Sequence, residues 1–329
     1  MPLFRLPPWK LTRTYETFSQ REHDWWVDQF RAPEVFKRGR GKGIVIAILD
    51  TGCDLEHPDL KSQILKAKDF TKSPYGPLDV NKHGTHVAGL AAAAENDLGV
   101  LGMAPDAKLL IAKCLGDDGS GYDAWIVNAI KWAISEGADI LSLSLGSLEP
   151  SPRIVDALLK AIAAGLDVVM AAGNEGGLGV GWPAQGVVEG IRVAAADKKN
   201  RVPAFSSKGD QVDVAAPGVD LLSCLPGGKW GRMSGTSMAT PIVSGLCACI
   251  RSASKKKLSP AEVKKRIVDS AEDAGAAGKD PSFGHGLLRP DRAMEGDEPV
   301  AEGIDIFGLI KALPIAKGTP APHAGVLLY

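Results

Sequence analysis

The sequence predicts a three-layer α/β fold, with a mostly parallel central sheet and helices on both of its faces. Two observations support this prediction. Short apolar runs rich in valine, isoleucine, leucine and alanine alternate along the chain with stretches of helical character, which is the pattern of strand-helix units around a parallel sheet. The first of these runs, GIVIAILD, is apolar almost throughout, as expected of a strand that is buried on both faces.

The alternation begins near residue 41. We predict strands at 43–50, 107–115, 139–146, 167–174, 191–197 and 212–218. We predict helices at 85–95, 124–137, 152–165, 236–253 and 259–271. The last helix opens with Ser259, Pro260 and Glu262, which form a capping sequence. Sites in such sheets form at the carboxyl ends of the strands, and both Asp50 and Asn174 end predicted strands.

Composition argues against several classes of protein. The chain has 329 residues, with 38 lysines plus arginines against 39 acidic residues, so neither nucleic acid nor a membrane is expected as a partner. No stretch reaches the roughly 20 apolar residues of a membrane helix. Pro7 and Pro8 interrupt the apolar run that a secretory signal would need. The five scattered cysteines favour buried thiols over disulfides or a zinc site, and a cytoplasmic protein is expected.

The chain divides into three predicted parts. Residues 1–20 precede the first predicted strand and contain the Pro-Pro pair, whereas residues 21–293 carry the alternating pattern. Residues 294–329 form a carboxy-terminal tail of unknown role, which contains four prolines and a short amphipathic run at 304–313.

Four segments supply the residue types that peptide hydrolysis requires: a nucleophile, a base, a group that orients the base, and an oxyanion donor. Asp50 lies in LDTG, His83 in NKHGTHVAG and Asn174 in AAGNEG. Ser237 opens a helix in SGTSMATP, where the helix dipole favours negative charge. Each segment alone is more often structural, as a turn aspartate, a satisfied histidine or a capping sequence.

In this order, and with these flanks, the segments resemble the subtilisin-like serine proteases, the subtilase family, from about residue 30 to residue 292. The shared motifs are DTG, HGTHVAG, GVLGMAP, SLSLG, AAGNEG, AAPG and SGTSMATP. The resemblance implies a subtilisin-like fold and a serine endopeptidase that works through an acyl-enzyme. A peptide-binding pseudoprotease is the alternative, and it would usually lack one of the reacting residues, none of which is missing.

The resemblance also assigns roles to the reacting residues. Ser237 would be the nucleophile, His83 the general base and Asp50 the residue that orients the base. The side-chain amide of Asn174 and the backbone N–H of Ser237 would bind the oxyanion. His86 is the competing choice for the base, and we expect it to be a structural histidine beneath the site.

The substrate cleft follows from the same resemblance. An extended substrate would pair with the backbones of two segments, made of Gly119, Ser120 and Gly121 and of Ser144, Leu145 and Gly146. The first specificity pocket would lie near Ala171, Ala172, Gly173 and Glu175. Glu175 either favours a basic substrate residue or is a solvated surface carboxylate. The chain departs from its relatives at Asp123, where they often carry an aromatic residue, and at Ile242, where they commonly carry histidine.

The segment ENDLGVLG (95–102) matches the calcium loop of the family, and oxygen ligands suit calcium. The implied ligands are the side chains of Asp59, Asn96 and Gln20 and the backbone carbonyls of Ala94, Leu98 and Val100. A plain polar turn is the alternative interpretation.

The amino-terminal FRLPPW (4–9) resembles the short inhibitory extensions of the intracellular subtilisins. In those relatives a proline bends the segment so that it covers the active site without being cut, and Leu6, Pro7, Pro8 and Trp9 would serve here. The protein would then be made as a zymogen with its own extension as inhibitor; a disordered tail is the alternative. Relatives of this type form homodimers, and a dedicated maturation protease with one cognate substrate is a further possibility.

Overall fold

The computed structural model describes residues 3–18 and 20–295. All of the predicted carboxy-terminal tail except its first two residues, including the amphipathic run at 304–313, lies outside the described residues. The strands are β1 (Leu3–Arg5), β2 (Lys10–Tyr15), β3 (Val45–Asp50), β4 (Ile64–Asp69), β5 (Lys108–Lys113), β6 (Ser120–Tyr122), β7 (Ile140–Leu143), β8 (Asp167–Ala171), β9 (Ile191–Ala196), β10 (Val214–Pro217), β11 (Leu221–Leu225) and β12 (Lys229–Ser234). The helices are α1 (Trp25–Gln29), α2 (Ala32–Phe36), α3 (His83–Ala92), α4 (Asp123–Ser135), α5 (Pro152–Ala163), α6 (Thr236–Ala253), α7 (Pro260–Ser270) and α8 (Pro290–Ala293).

A seven-stranded sheet lies at the centre of the fold, in the order β10-β9-β8-β7-β3-β5-β4. Every neighbouring pair in it is parallel. Successive residues of β3 enter two different apolar clusters: Ile46 and Ile48 pack with α3 and α6, whereas Ala47 and Leu49 pack with α4 and α5. This alternation is that of a strand buried on both faces. The predicted three-layer α/β fold is confirmed.

Two smaller sheets contain strands that the sequence analysis did not predict. β11 and β12 form an antiparallel hairpin, and β2 adds to β12 as a third antiparallel strand. β1 pairs with β6, also antiparallel. The amino-terminal residues 3–18 are therefore joined to the rest of the protein by backbone pairing at two separate strands.

The five cysteines lie inside the fold, as expected of small buried thiols. Each of the five cysteines is buried and unpaired. None of the helices in the described ranges combines the length and the apolar character needed to cross a bilayer.

Candidate active site

The carboxyl end of β3 and the beginning of α3 bring an aspartate and a histidine together. Asp50 is the last residue of β3, and His83 is the first residue of α3. His83 Nδ1 donates to Asp50 Oδ1 at 2.8 Å, and both side chains are almost fully buried. Gly84 permits this approach, because a Cβ there would lie 2.2 Å from the carbonyl oxygen of Gly52. A larger residue would push α3 away from the end of β3.

A second buried carboxylate, Asp79, holds the same junction together. Its Oδ1 accepts from the hydroxyl of Thr51 and from the amide of Lys82, each at 2.9 Å. Its Oδ2 accepts from both the amide and the hydroxyl of Thr85. Burial raises the pKa of Asp79, although these hydrogen bonds act in the opposite direction. Lys82 has a left-handed φ of 88°, and its bond to Asp79 holds this strained residue next to His83.

Ser237 lies in the first turn of α6, at the same edge of the central sheet. Its fully buried hydroxyl donates to the carbonyl oxygen of Ser144 at 3.3 Å, and Ser144 Oγ donates to the carbonyl oxygen of Ser237 at 2.9 Å. Ser144 follows β7, which pairs with β3 so that Leu143 lies opposite Leu49. Ser237 is thereby tied to the residue that neighbours Asp50 across the sheet.

The hydroxyl of Ser237 is not hydrogen-bonded to His83 in this conformation. The Nε2 atom of His83 is buried and has no partner among the described residues. The histidine is thus oriented through Nδ1 alone, and its second nitrogen is available to a hydroxyl that turns away from Ser144.

Asn174 follows β8 and is oriented by the residue that precedes Ser237. Its Oδ1 accepts from both the amide and the hydroxyl of Thr236, each at 2.9 Å. These bonds fix the side-chain amide, so that Nδ2 is directed into the cleft, where it donates to the carbonyl oxygen of Pro8 at 2.7 Å. The sequence analysis missed the positioning roles of Thr236 and Asp79. For Asp79 no local signal was present, because it lies four residues before α3 and the residue at the cap position is Lys82.

Residues of the amino-terminal extension lie in the cleft as an added strand. Arg5 exchanges two backbone hydrogen bonds with Gly146, at 3.0 and 3.1 Å, and the amide of Leu6 donates to the carbonyl of Gly119 at 3.0 Å. The side chain of Phe4 is fully buried, in the same apolar cluster as Leu145. The two segments expected to flank a substrate therefore enclose a segment of the protein itself.

Pro7 interrupts this pairing at the position nearest to the serine. Because Arg5 and Gly146 form a hydrogen-bonded antiparallel pair, the next such pair in register is residue 7 with Ser144. Pro7 has no N–H to donate to the carbonyl of Ser144. The hydroxyl of Ser237 donates to that carbonyl instead.

Pro8 and Trp9 cover the remaining parts of the site. The carbonyl that Asn174 binds belongs to Pro8, one residue beyond the position that the strand register brings opposite Ser144. The ring of Trp9 lies 5.8 Å from that of His83, centroid to centroid. Together these residues cover the histidine and occupy the side-chain amide of Asn174.

Comparison with known proteins identifies the family. A sequence profile described as "Subtilase family" matches residues 41–286. The chain belongs to the subtilase family. It is 45% identical over 234 residues to "Intracellular serine protease" of Paenibacillus polymyxa, which covers 68% of this chain and 72% of the relative.

Two further relatives extend this comparison. The chain is 42% identical over 257 residues to "Major intracellular serine protease" of Bacillus subtilis, with 74% of this chain and 80% of the relative covered. It is 40% identical over 275 residues to "Subtilisin E" of Bacillus subtilis, with 82% and 70% covered. The protein is therefore a serine peptidase of the subtilisin type.

In this subtilase, His86 is bound beneath the site by the β11–β12 hairpin. Its Nε2 is hydrogen-bonded to the carbonyl oxygens of Leu221 and Gly231, at 3.0 and 3.1 Å. Complete burial lowers the pKa of His86 to about 3, so the ring is neutral. His86 makes no hydrogen bond to Asp50, which is bonded to His83.

The residues expected at the first specificity pocket lie on either side of Asn174. Glu175 is half-buried, and its Oε2 accepts from the hydroxyl of Ser207 at 3.3 Å. Gly173 is buried, and a Cβ there would lie 2.5 Å from Glu175 Oε2. Ala171, Ala172 and Leu145 are also buried. The carboxylate of Glu175 is thus held against the backbone that precedes Asn174.

Asp123 and Ile242, the two residues at which the chain departs from the family pattern, lie in different surroundings. Asp123 is the first residue of α4 and is buried, with its Oδ2 3.5 Å from Arg153, while the neighbouring Tyr122 is exposed. Ile242 is fully buried within α6. An isoleucine there contributes packing and no polar group.

The predicted calcium loop follows α3 and wraps around Asp59. Asp59 is fully buried; its Oδ1 accepts from Asn96 Nδ2 at 2.9 Å, and its Oδ2 accepts from the amide of Val100 at 2.9 Å and from Trp230 Nε1 at 2.7 Å. Gly99 has a left-handed φ of 67°, and a Cβ there would lie 2.0 Å from Asp59 Oδ2. The loop is therefore in close contact with this carboxylate.

The oxygen atoms of this loop fit a calcium ion in part. No backbone amide in the described ranges donates to the carbonyls of Ala94, Leu98 or Val100. The side chain of Asn96 turns its nitrogen, not its oxygen, towards Asp59, and a half-turn of this amide would present the oxygen. Five oxygens would then be available, against the six to eight that calcium takes.

Gln20, the sixth predicted ligand, is exposed. The chain meets the loop just beyond it, where Arg21 forms a β-bridge with Gly99 and the amide of Glu22 donates to the Gly99 carbonyl at 2.7 Å. The side chain of Arg21 is ion-paired with Glu95 at 3.0 Å.

Proposed function

We propose that this subtilase is an endopeptidase in which Ser237 is the nucleophile, His83 the general base and Asp50 the residue that orients the base. The observation that carries the proposal is the position of the extension. It lies in the cleft as an added strand and directs a backbone carbonyl to Asn174 Nδ2 at 2.7 Å. A carbonyl with a donor at its oxygen, beside a serine at a helix N-terminus, is in the environment that acyl transfer requires.

The chemistry follows from these contacts. When a substrate amide satisfies the Ser144 carbonyl, the hydroxyl of Ser237 turns to His83 Nε2 and gives it its proton as Oγ attacks the scissile carbonyl. Asp50 accepts from Nδ1 and stabilises the imidazolium that forms. Asn174 and the backbone N–H of Ser237 stabilise the oxyanion. The imidazolium then protonates the leaving amine, and water, deprotonated by the same histidine, hydrolyses the acyl-enzyme.

We propose further that residues 1 to about 20 inhibit the enzyme until they are removed. Ser237, His83 and Asp50 are 0%, 0% and 1% exposed, respectively, so neither water nor a substrate reaches them while the extension is in the cleft. Pro7 leaves the hydroxyl of Ser237 on the Ser144 carbonyl, away from the base. The extension therefore occupies the cleft of a substrate and withholds the donor that would align the nucleophile.

Labelling with a fluorophosphonate tests both proposals, because only an activated serine reacts. The chain that begins at Gln20 should be labelled at least about 100-fold faster than the full chain, and Ser237→Ala should abolish labelling in both. Equal labelling of the two chains would contradict inhibition by the extension. A folded short chain that is not labelled would support the pseudoprotease alternative instead.

A variant of the extension tests the role of the prolines. In the full chain, Pro7→Ala with Pro8→Ala restores two backbone N–H groups, so the segment should behave as a substrate and be cut between residues 8 and 9, after the carbonyl that Asn174 binds. Mass spectrometry of the incubated protein detects the cut. Alanine changes at Arg13 and Thr14, outside the cleft, are the matched control. An uncut double-proline variant would contradict this account of the inhibition.

We also propose that the loop at 94–100 binds a structural calcium ion. Asp59, Asn96 and the carbonyls of Ala94, Leu98 and Val100 would hold it. The ion would supply positive charge to a loop packed on the end of α3, and it would take no part in proton transfer. A calcium-dependent Tm that is lost on Asp59→Asn would support this proposal.

The cellular setting and the substrates are proposals as well. Two relatives are named intracellular serine proteases, and we propose a cytoplasmic location and protein substrates for this chain. Cleavage of casein, analysed by mass spectrometry, separates a broad endopeptidase from a dedicated maturation protease, which would leave casein intact. Homodimerisation remains a prediction that sedimentation can test.

A further inference from the structure

We propose that the edge of β12 is an extended binding site for the part of a substrate chain that follows the scissile bond. The site would take an unfolded polypeptide as an added antiparallel strand, reaching about eight residues downstream of the cleaved bond. This inference rests on the proposed removal of the extension, because β2 occupies the same edge in the structure.

The path of the extension carries the argument. It leaves the cleft at the carbonyl that Asn174 binds and continues directly into β2, which pairs with β12 from Lys10 opposite Ser234 to Tyr15 opposite Trp230. β12 runs straight into the turn that holds Ser237. The edge of β12 therefore adjoins the cleft, and the extension covers both.

The edge is shaped to accept a strand. Gly231, in the middle of β12, has no side chain, and a Cβ there would lie 2.7 Å from the carbonyl oxygen of Arg13 and 3.0 Å from Leu11 Cδ1. A glycine at this point permits close approach of another backbone. When β2 is removed, the backbone groups of β12 that it pairs with are left open on one side, which is the usual template for β-augmentation.

Side chains around the edge also bind those of β2 and of the next residue, Glu16. Thr12 Oγ1 donates to Asp220 Oδ1 at 2.7 Å, and Lys229 Nζ lies 2.8 Å from Glu16 Oε2. Counted downstream from the carbonyl on Asn174, these are the fourth and eighth residues of the bound chain. The site should therefore prefer a hydroxyl residue at the fourth position and an acidic residue at the eighth.

Peptide substrates of different downstream length test the inference. They share the residues before the scissile bond and carry two or eight residues after it, the longer ones copying residues 9–16. For the chain that begins at Gln20, kcat/KM at the intended bond should be about tenfold higher for eight residues than for two, since several backbone hydrogen bonds are added. N-methylation of the third to seventh downstream residues should remove the gain.

A charge reversal tests the side-chain preference. Lys229→Glu should turn a preference for glutamate at the eighth position into one for lysine, each by about twofold to fivefold, because the pair is partly exposed. The two-residue substrate should be cut at an unchanged rate. This control separates an effect at the edge from damage to the active site.

Measurements on the full chain distinguish inhibition by the extension from binding of substrate at the edge of β12. Comparing full and short chains on the two-residue substrate judges inhibition by the extension alone. The ratio between long and short substrates judges the edge site alone. A full chain with Phe4→Asp, Leu11→Pro and Arg13→Pro, in which both the cleft segment and β2 are disrupted, guards against a short chain that fails to fold and should give the same ratio. Equal kcat/KM for both lengths, or no effect of N-methylation, would overturn the edge site.

Discussion

Two buried carboxylates, Asp50 and Asp59, lie nine residues apart and differ in how their oxygens are used. Asp50 Oδ1 accepts from His83 and from the amide of Thr51, while its Oδ2 has no hydrogen-bond partner among the described residues. Both oxygens of Asp59 accept hydrogen bonds, from Asn96, Val100 and Trp230.

Under the proposed mechanism the difference is one between a reacting site and a structural loop, although an unpartnered atom alone does not mark a reacting site, because His86 Nδ1 is also buried without a partner among the described residues. A buried polar atom without a partner is costly, so it persists where another requirement sets the geometry. Asp50 and the unpartnered Nε2 of His83 have this property. A carboxylate satisfied by its own chain, as Asp59 is, holds a loop in position whether or not a cation is bound.

The largest predicted effect contrasts the two aspartates directly. Asp50→Asn should lower kcat by about 10⁴-fold, because an asparagine orients His83 in the wrong tautomer. Asp59→Asn should change kcat by less than about threefold. Both are measured on a peptide substrate in the chain that begins at Gln20. A similar loss of kcat in both variants would contradict the distinction between the two carboxylates.

The second effect concerns the donor that the extension now occupies. Asn174→Ala should lower kcat by about 10²–10³-fold with little change in KM, which is the magnitude known for loss of the side-chain oxyanion donor in subtilisin itself. Thr236→Val keeps the shape of the side chain but removes one bond to Asn174, so a smaller loss is expected. Thr236→Ser, which keeps the hydroxyl, should retain most of the kcat that Thr236→Val loses.

The third effect is on stability and sharpens the role of Asp59. In a Ser237→Ala background, which prevents self-digestion, Asp59→Asn should lower the free energy of unfolding by about 2–3 kcal/mol, because a buried donor loses its acceptor. Urea unfolding measures it. Calcium at millimolar concentration should raise Tm by a few degrees in the parent and not in the variant. If neither calcium nor a chelator changes the Tm of the parent, the calcium proposal is wrong.

The smallest effect comes from His86, which has one bonded nitrogen and one without a partner among the described residues. Its pKa falls from an ordinary value near 6.5 in the unfolded chain to about 3 in the folded one. As the pH falls, the unfolded chain therefore binds the proton before the folded chain does. The free energy of unfolding decreases between about pH 6.5 and pH 3. Between pH 7 and 5 the loss should be about 2 kcal/mol. His86→Asn should flatten this slope, and His285→Asn, at an exposed histidine, should not.

The central sheet was predictable because its strands carry strong local patterns. Val45–Asp50 and Ile191–Ala196 are nearly continuous apolar runs, and such runs specify a buried strand with little help from the rest of the chain. The edge strand Ile64–Asp69 was missed, since its lysines alternate with small and apolar residues and half of its surface faces solvent. β2 was missed for a related reason: its sequence, KLTRTY, is mostly exposed, and its pairing depends on the free edge of β12.

The sequence singled out the residues of the candidate site but not the bonds among them. Family motifs pointed to Ser237 and Asn174, yet no pattern indicates that the Ser237 hydroxyl is turned to Ser144 or that Thr236 orients Asn174. Those directions arise from segments far apart in the chain. The sequence suggested that Pro7 matters; only the strand register identifies the carbonyl that it leaves without a donor.

The complete burial of Ser237 has a consequence for how activity would appear over time. A closed molecule can cut neither itself nor a neighbour, so under the proposed inhibition the first active copy arises by rare opening and every later one by collision with an active copy. Activation would then be self-amplifying, with a lag that shortens as concentration rises. Such a population would show a concentration threshold: it would be inactive when dilute, and it would be fully activated once a few molecules have opened.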